Sequence, residues 1–156
     1  MKMNFIYLDA NFILNALISS EKTERIKNFF LEHENKSVFV TSLASIEEVL
    51  YSASRILCEE TQGISSFYRY KKFVERNDYK FMENFFILLL KFLKEFKILI
   101  FPDTSEIEEV IKIMKRYHLL PNDALIAATC KYYGIKKIAT FDEDFSRVDF
   151  LEIAKV

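Results

Sequence analysis

The stretch PNDALIAATCKYYGIKKIAT, residues 121–140, predicts a helix followed at once by a strand. Pro121 suits the first position of a helix, where a backbone N–H has no partner within the helix. Gly134 suits the left-handed position just past a helix end. The residues from Ile135 to Thr140 then form a short strand. A strand that follows a helix after one glycine is typical of a chain in which the two elements alternate.

The rest of the chain continues this alternation. Short apolar strands are predicted at 4–8, 38–40 and 98–101, and residues 148–153 form a fifth strand or a final edge segment. Helices are predicted at 11–18, 21–33, 41–58 and 104–118, with one or two long helices between 65 and 96. We therefore predict an α/β fold with three α/β/α layers, in which a central parallel sheet of four or five strands is flanked by helices.

The composition excludes several classes of protein. The chain has 156 residues, of which 51% are hydrophobic, so it is long and apolar enough for one globular domain with a real core. Lys and Arg number 22 against 23 Asp and Glu, which excludes a generic polyanion binder. Cys58 and Cys130 are far apart and lack CxxC or Cys/His spacing, which predicts buried, reduced thiols.

The hydropathy pattern contains no membrane or export signal. The apolar N-terminal stretch is broken by Asp9 and Asn11, unlike a signal peptide. The most apolar run, 85–90, is far shorter than the roughly 20 residues that a membrane span needs. We expect a soluble, cytoplasmic protein with no membrane partner.

Acidic residues fall where the predicted strands end. In parallel sheets, functional groups gather outside the carboxyl ends of the strands. Carboxylates crowded there repel one another unless a divalent cation neutralises them, and such oxygen-rich sites suit Mg²⁺ or Mn²⁺. The chemistry that follows is metal-assisted attack of water on a phosphate ester. The candidate residues are Asp9, Glu47, Glu48, Asp123, Asp142 and Asp144.

Most of these acids also have a plain structural explanation. Asp123 suits a helix N-terminus, Asp142 suits a turn, and Glu47 and Glu48 fit a solvated helix face. Asp9 is the hardest to explain in this way, because a carboxylate at the end of a buried strand is costly unless it is paired or bound to metal.

Four segments, in this order, resemble a known family: LDANFIL (8–14), SLASIEEVLYSA (42–53), PNDALIAATCKYYGI (121–135) and IATFDEDFSRV (138–148). They are similar to the PIN domain, and in particular to the single-domain toxin ribonucleases of VapBC-type toxin–antitoxin systems. The resemblance covers residues 4–58 and about 98–153. Its most specific part is NDALIAATC followed by ATFDEDF.

The resemblance implies a metal-dependent ribonuclease. PIN domains bind Mg²⁺ or Mn²⁺ through four acids, which map by motif position onto Asp9, Glu48, Asp123 and Asp142. Glu48 is preferred because EVLYS is similar to the family's ELLYG segment, and Glu47 stays open as the alternative. The resemblance further implies an additional metal-binding acid and two polar residues that orient metal, water or phosphate. These are Asp144, and Asn11 with Thr140.

The resemblance also implies roles and partners. Asp9, Asp123 and Asp142 would hold one or two cations, while Glu48 would ligate a second cation or position the attacking water. In-line attack would leave a 5′-phosphate and a 3′-hydroxyl. The expected substrate is RNA, and the expected protein partners are a second copy of the chain and a small antitoxin.

The chain departs from the family pattern in its middle. Ser52 stands where a Gly is common, and the helical stretch at about 59–97 is longer than in minimal members. We therefore predict a single PIN-like nuclease domain over residues 1–156 with a long helical insertion at about 59–97.

Basic and aromatic residues are interleaved in this insertion. Arg69, Lys71, Lys72 and Arg76 stand among tyrosines and a phenylalanine, which is typical of a surface that stacks on unpaired bases. The alternative, which the sequence favours, is an amphipathic helix whose aromatic side chains face the core while its charges are solvated.

Three other functions fit parts of the sequence. A haloacid-dehalogenase-type phosphatase would use Asp9 as nucleophile, but Asn11 stands where that chemistry wants an acid. A housekeeping RNA-processing nuclease would share the same acids. A catalytically degenerate PIN-like interaction module would use the Phe-rich stretch 81–96 as a dimer or antitoxin surface.

Overall fold

A computed structural model describes residues 3–156 and contains one five-stranded sheet. Met1 and Lys2, at which the predicted domain begins, lie outside the described residues. The strands are β1 Phe5–Leu8, β2 Val38–Ser42, β3 Leu99–Phe101, β4 Lys137–Ala139 and β5 Glu152–Ile153. The helices are α1 Ala10–Leu17, α2 Thr23–His33, α3 Leu43–Gln62, α4 Phe67–Asn77, α5 Glu83–Glu95, α6 Ile107–Tyr117 and α7 Pro121–Tyr133.

The sheet has the order β3-β2-β1-β4-β5, and neighbouring strands are parallel. Tyr7 in the central strand β1 is in register with Val40 of β2 and Ile138 of β4. The chain leaves β1 toward β2 on one side and leaves β4 toward β5 on the other. The carboxyl ends of β1 and β4 therefore form the topological switch point, where α/β sheets open a crevice for ligands.

The two faces of the sheet carry separate hydrophobic cores. Ile6 and Leu8 of β1 pack on one face with α1, α2, α3 and α5. Tyr7 points to the opposite face and packs with α6 and α7. Because both faces are covered, β1 is apolar at consecutive positions rather than at alternate ones. The predicted three-layer α/β fold with a parallel sheet is confirmed.

Element boundaries differ from the sequence prediction in a few places. Helix α3 runs to Gln62, four residues beyond the predicted end, and stops at Gly63 with a left-handed φ of 66°. The predicted long helical stretch is two helices, α4 and α5, because Asp78 has a φ of 57° and a 3₁₀ turn at Lys80–Met82 follows it. Strand β5 is an edge strand of two residues.

Two further expectations concern the cysteines and the membrane. Cys58 and Cys130 are both buried free thiols, as predicted. Among residues 3–156, no helix combines the length and the apolar character needed to cross a membrane.

Candidate active site

Acidic side chains from four parts of the chain meet at the carboxyl ends of β1 and β4. Asp9 follows β1, Glu48 lies in α3, Asp123 lies in the first turn of α7, and Asp142 and Asp144 follow β4. Asp123, Asp142 and Asp144 each place a carboxylate oxygen within 4.8 Å of the others. Asp9 and Glu48 border this group closely enough that the charge of Asp142 raises the pKa of both.

Asp9 is buried, with 5% of its surface exposed. It caps α1 by accepting a hydrogen bond from the backbone N–H of Ala10 (2.8 Å), and its second oxygen accepts one from the Thr140 hydroxyl (2.7 Å). Burial raises the pKa of Asp9 to about 6 despite these two bonds, and the charges of Glu48 and Asp142 contribute to the rise. The central strand thus ends in a carboxyl group that loses its proton at a higher pH than an ordinary aspartate does.

Asp123 is half-buried at the N-terminus of α7. Burial and then the charges of Asp9, Asp142 and Asp144 raise its pKa to about 6. Arg147 acts in the opposite direction and lowers it. Arg147 also forms an ion pair with Asp144, with 3.2 Å between Nη1 and Oδ1. One guanidinium therefore offsets only part of the repulsion among these acids.

Glu48, rather than Glu47, faces the acidic group. Its carboxylate accepts a 2.7 Å hydrogen bond from the side-chain amide of Asn122 in α7. Burial, followed by the charge of Asp123, raises the pKa of Glu48, and the Asn122 amide lowers it. Glu47 is exposed and contributes instead to a pocket on the neighbouring flank of α3.

Thr140 and Asn11 form a polar frame around Asp9. Besides donating to Asp9, the Thr140 hydroxyl accepts a hydrogen bond from the backbone N–H of Asp142 (3.0 Å). The Asn11 side-chain carbonyl accepts one from the backbone N–H of Phe141 (3.0 Å). These bonds fix the loop after β4 against the start of α1, and so fix Asp142 relative to Asp9.

The donor set fits a hard divalent cation. Every side chain in the group offers carboxylate oxygen, which is the ligand type that Mg²⁺ and Mn²⁺ prefer. The raised pKa values of Asp9 and Asp123 record burial and charge repulsion that a cation would relieve. Asp144, which the motif marked as an additional acid, belongs to the most tightly grouped three.

The basic and aromatic residues of the middle segment lie on α4 and in the loop that follows it. Phe67 and Tyr68 are 57% and 70% exposed, and Tyr79 in the loop after α4 is 40% exposed. Of Phe67, Tyr68, Tyr70 and Tyr79, Tyr70 is buried, so the expectation that these side chains face the core holds for Tyr70 and is wrong for the other three. Arg69, Lys72 and Arg76 line a shallow pocket with Tyr68, and Lys71 is exposed.

Sequence reasoning missed Asn122 and Arg147. Arg147 pairs with Asp144. Both residues were visible beside the acids in the sequence, Asn122 before Asp123 in the NDALIAAT segment and Arg147 three residues after Asp144.

A family model and a named relative both match most of this chain, and they agree with each other. The family model of the PIN domain matches residues 6–151. Ribonuclease VapC6 of Methanocaldococcus jannaschii is 31% identical over 159 residues, and the match covers 99% of this chain and 99% of the relative.

Solved structures resemble the fold at low sequence identity. The structure of VapBC2 from Rickettsia felis, bound to a DNA fragment from their promoter, matches with a TM-score of 0.62 at 15% identity, over 96% of this chain and 97% of that one. The Mycobacterium tuberculosis toxin VapC20, which cleaves the sarcin-ricin loop, matches with a TM-score of 0.60 at 16% identity, over 94% and 97%. At these identities the likeness concerns the fold.

Proposed function

Because this chain belongs to the PIN-domain family, we propose that it is an endoribonuclease that hydrolyses RNA phosphodiester bonds with Mg²⁺ or Mn²⁺. The observation that carries the proposal is the convergence of Asp9, Glu48, Asp123 and Asp142 at the switch point of the sheet, with the pKa of Asp9 and of Asp123 raised to about 6. Crowded acids destabilise a fold, so their presence together favours a role in binding a cation.

Asp9, Asp123 and Asp142 would hold the cation, and Asp144 would add a further ligand. The grouping of carboxylate oxygens of Asp123, Asp142 and Asp144 within 4.8 Å supports this assignment. A bound divalent cation would lower the pKa of a water molecule and offset negative charge on the phosphate oxygens. The chain's own contribution is to hold the ligands in place through the Thr140 and Asn11 hydrogen bonds.

Glu48 would orient the attacking water and accept its proton. Two features of Glu48 support this role: it borders Asp123 without belonging to the tight group of three, and burial raises its pKa, which increases its affinity for a proton. The amide of Asn122 fixes the direction of its carboxylate. Attack in line with the leaving oxygen would leave a 5′-phosphate and a 3′-hydroxyl.

The proposed enzyme is the toxin of a toxin–antitoxin pair. Support comes from VapC6, which is a ribonuclease similar to this chain over its whole length, and from the likeness in fold to VapBC2 and VapC20. We extend the proposal to a small antitoxin as partner and to a homodimer. The exposed side chains of Ile87, Leu88 and Leu90 on α5 give an apolar surface suited to such contacts.

We further propose that the chain is a single nuclease domain in which residues 59–97 are an added helical part. Within that part, α5 packs Phe85, Leu89 and Phe92 into the same core as β1. This shared core supports one cooperative unit rather than an appended module.

The test is cleavage of total RNA by the purified chain with Mg²⁺, with Mn²⁺ and with EDTA. We expect metal-dependent cleavage that Asp9→Asn abolishes while the variant stays folded. Asp149→Asn is the matched control, because Asp149 is an exposed acid that pairs with Arg116 and takes no part in the acidic group. Cleavage by Asp9→Asn at the wild-type rate would refute the assignment.

The toxin role needs a separate readout. We expect expression of the wild-type chain to arrest growth of a bacterial host and expression of Asp9→Asn to leave growth unchanged. Metal-dependent cleavage without growth arrest would refute the toxin role and favour the RNA-processing nuclease that shares these acids.

A further inference from the structure

An aromatic pocket of about 330 Å³ lies on the flank of α3, and one of its lining residues, Glu47, directly precedes Glu48 of the acidic group. Its walls include Tyr51 and Ser54 of α3, Tyr70 of α4, Tyr79 and Phe86 of the following segment, and Glu47. Small-molecule sites span about 300 to 1,000 Å³. A pocket at the lower end of that range has room for one flat ring system rather than for a secondary-structure element.

Helix geometry places this pocket next to the acids. Tyr51 follows Glu48 by three residues, which on an α-helix is roughly one turn and about 4.5 Å further along the axis. Arg55 follows Glu48 by seven residues, about 10.5 Å along the axis and on nearly the same face. An acid, an aromatic ring and a cation therefore stand in a row along α3, starting at the proposed reaction centre.

One side of the pocket is formed by a buried tyrosine in a fixed position, and the other side is formed by two partly exposed tyrosines. Tyr70 is buried, its hydroxyl lies 2.5 Å from that of Ser54, and its ring meets the Tyr51 ring edge-on at 6.3 Å. Tyr51 and Tyr79 are 44% and 40% exposed, so parts of both rings are available to a ligand. The ring on the fixed wall is already positioned, so binding would order few side chains.

The charges around the pocket favour binding of a base inside it over binding of a phosphate. Glu47 lines the pocket, and its negative charge would repel a phosphate, whereas its carboxylate could accept hydrogen bonds from the N–H groups on the edge of a base. The Arg55 guanidinium lies just outside, 3.3 Å from the Tyr51 hydroxyl and over the Tyr70 ring. A nucleotide would therefore place its base inside and its backbone toward Arg55.

We propose that this pocket binds one unpaired nucleobase of the RNA strand whose phosphodiester lies at the acidic group. The inference rests on the proposed ribonuclease function and adds to it a subsite on α3 that holds the base beside the cleaved bond. Every base has a flat face that stacks on an aromatic ring, whereas a base within a duplex has both faces covered by its neighbours.

Binding of a fluorescein-labelled single-stranded RNA of about 12 nucleotides, measured by fluorescence anisotropy in EDTA, tests the pocket without cleavage. Loss of a stacking ring typically weakens binding about fivefold or more, so we expect that loss for Tyr51→Ala and for Tyr79→Ala. Tyr51→Phe keeps the ring and should bind like the wild type. Tyr132→Ala is the matched control, since Tyr132 is an exposed tyrosine at the far end of α7.

The duplex of the same sequence is the second probe. We expect it to bind wild type and Tyr51→Ala equally, because a paired base does not enter the pocket. Unchanged single-strand binding by both alanine variants would overturn the proposal that the pocket binds a base. That result is expected if the pocket instead binds a protein side chain. An equal loss for single strand and duplex would overturn it too, because that pattern indicates general damage to the surface.

Cleavage by the wild type separates this inference from the proposed function. Metal-dependent cleavage together with unchanged binding by Tyr51→Ala would refute the base pocket and support the ribonuclease function. Absence of cleavage together with ring-dependent binding of single strands would refute the ribonuclease function and support the base pocket. Thermal melting of each variant checks its folding, and Tyr51→Leu replaces Tyr51→Ala if the latter melts early.

Discussion

The side-chain amide of Asn122 donates a 2.7 Å hydrogen bond to the carboxylate of Glu48. This bond joins the first turn of α7 to the second turn of α3, two helices that lie on opposite faces of the sheet and meet where its strands end. It also lowers the pKa of a carboxyl group that burial and the charge of Asp123 raise. Asn122 is therefore a positioning residue for the acid that we assign to the attacking water.

Replacing Asn122 by Ala should slow cleavage about tenfold, since loss of an outer-shell partner at a metal site typically costs 10- to 100-fold. Without the amide the pKa of Glu48 rises further, so the pH at which activity reaches half its maximum should move upward. The measurement is the pH profile of RNA cleavage. Asn77→Ala, which removes an exposed asparagine bonded to a backbone carbonyl in α4, should leave the profile unchanged.

Thr140 offers a test of the polar frame. Thr140→Val keeps the shape but removes the hydroxyl that donates to Asp9 and accepts from the Asp142 backbone. Because both partners then lose a bond in a buried place, we expect a loss of about 1–3 kcal/mol in the free energy of unfolding. Urea unfolding near pH 7.5 measures it. Thr140→Ser retains the hydroxyl and should recover most of the stability, and a fully stable Thr140→Val would contradict the role.

The metal-free chain should become more stable as the pH falls from neutrality toward about 4. The pKa values of Asp9 and Asp123 are about 6 in the folded chain against an ordinary 3.8. The native state therefore binds more protons than the unfolded state between these values, so its stability falls as the pH rises through that window and is lowest above about 6. Melting temperatures in EDTA at a series of pH values measure the trend.

The same linkage predicts how a metal acts. Added Mg²⁺ or Mn²⁺ should raise the melting temperature more at about pH 7.5 than at about pH 5.5, because protons compete for the carboxylates. Asp123→Asn should raise the metal-free melting temperature at neutral pH and reduce the shift on adding metal. A metal-independent melting temperature at both pH values would contradict binding at these acids.

The cations of α4 should contribute to RNA binding through charge. Lys71 and Lys72 lie on a helix in which Arg69 and Arg76 are also present and Phe67 and Tyr68 are exposed. Lys71→Gln with Lys72→Gln should weaken binding of single-stranded RNA and reduce the slope of log affinity against log salt by about 1.4, which is roughly 0.7 for each phosphate that a lysine no longer neutralises. Fluorescence anisotropy over a salt series provides the slope.

A matched double variant on another helix gives the comparison. Lys112 and Lys115 are exposed lysines on α6, in the half of that helix away from its start near β3. Lys112→Gln with Lys115→Gln changes the net charge equally and should leave the slope near its wild-type value. Equal effects of the two pairs would show that net charge, rather than the α4 surface, determines binding.

Much of the fold could be predicted because burial leaves a pattern in short segments. Residues of β1 are apolar at successive positions, since Ile6 and Tyr7 enter different cores on the two faces of the sheet. Gly134 ends α7 with a left-handed φ of 69°, a conformation that glycine adopts without strain. Boundaries were less predictable: α3 extends to Gln62, where only Gly63 stops it.

The site was predictable in its acids and not in its details. The motif favoured Glu48 but left Glu47 open, because adjacent residues on a helix differ only in the direction they face. The N-terminal parts of α3 and α7 meet where the strands end, which turns Glu48 toward Asp123 and Asn122 and leaves Glu47 in the aromatic pocket. The exposure of Phe67 and Tyr68 was likewise a matter of packing, since α4 buries little besides Tyr70 among its described residues.

By itself, the sequence determined the alternation of helices and apolar strands, the family, and which carboxylates are candidates. These follow from local patterns of burial, from turn chemistry and from motif order. The tertiary structure alone decided that Asp9, Asp123 and Asp142 share one electrostatic environment, that Asn122 holds Glu48, and that a group of tyrosines borders the acids. The physical reason is that pKa values, hydrogen bonds and pockets depend on distances in space, which a chain acquires only when its parallel strands bring remote segments to one edge.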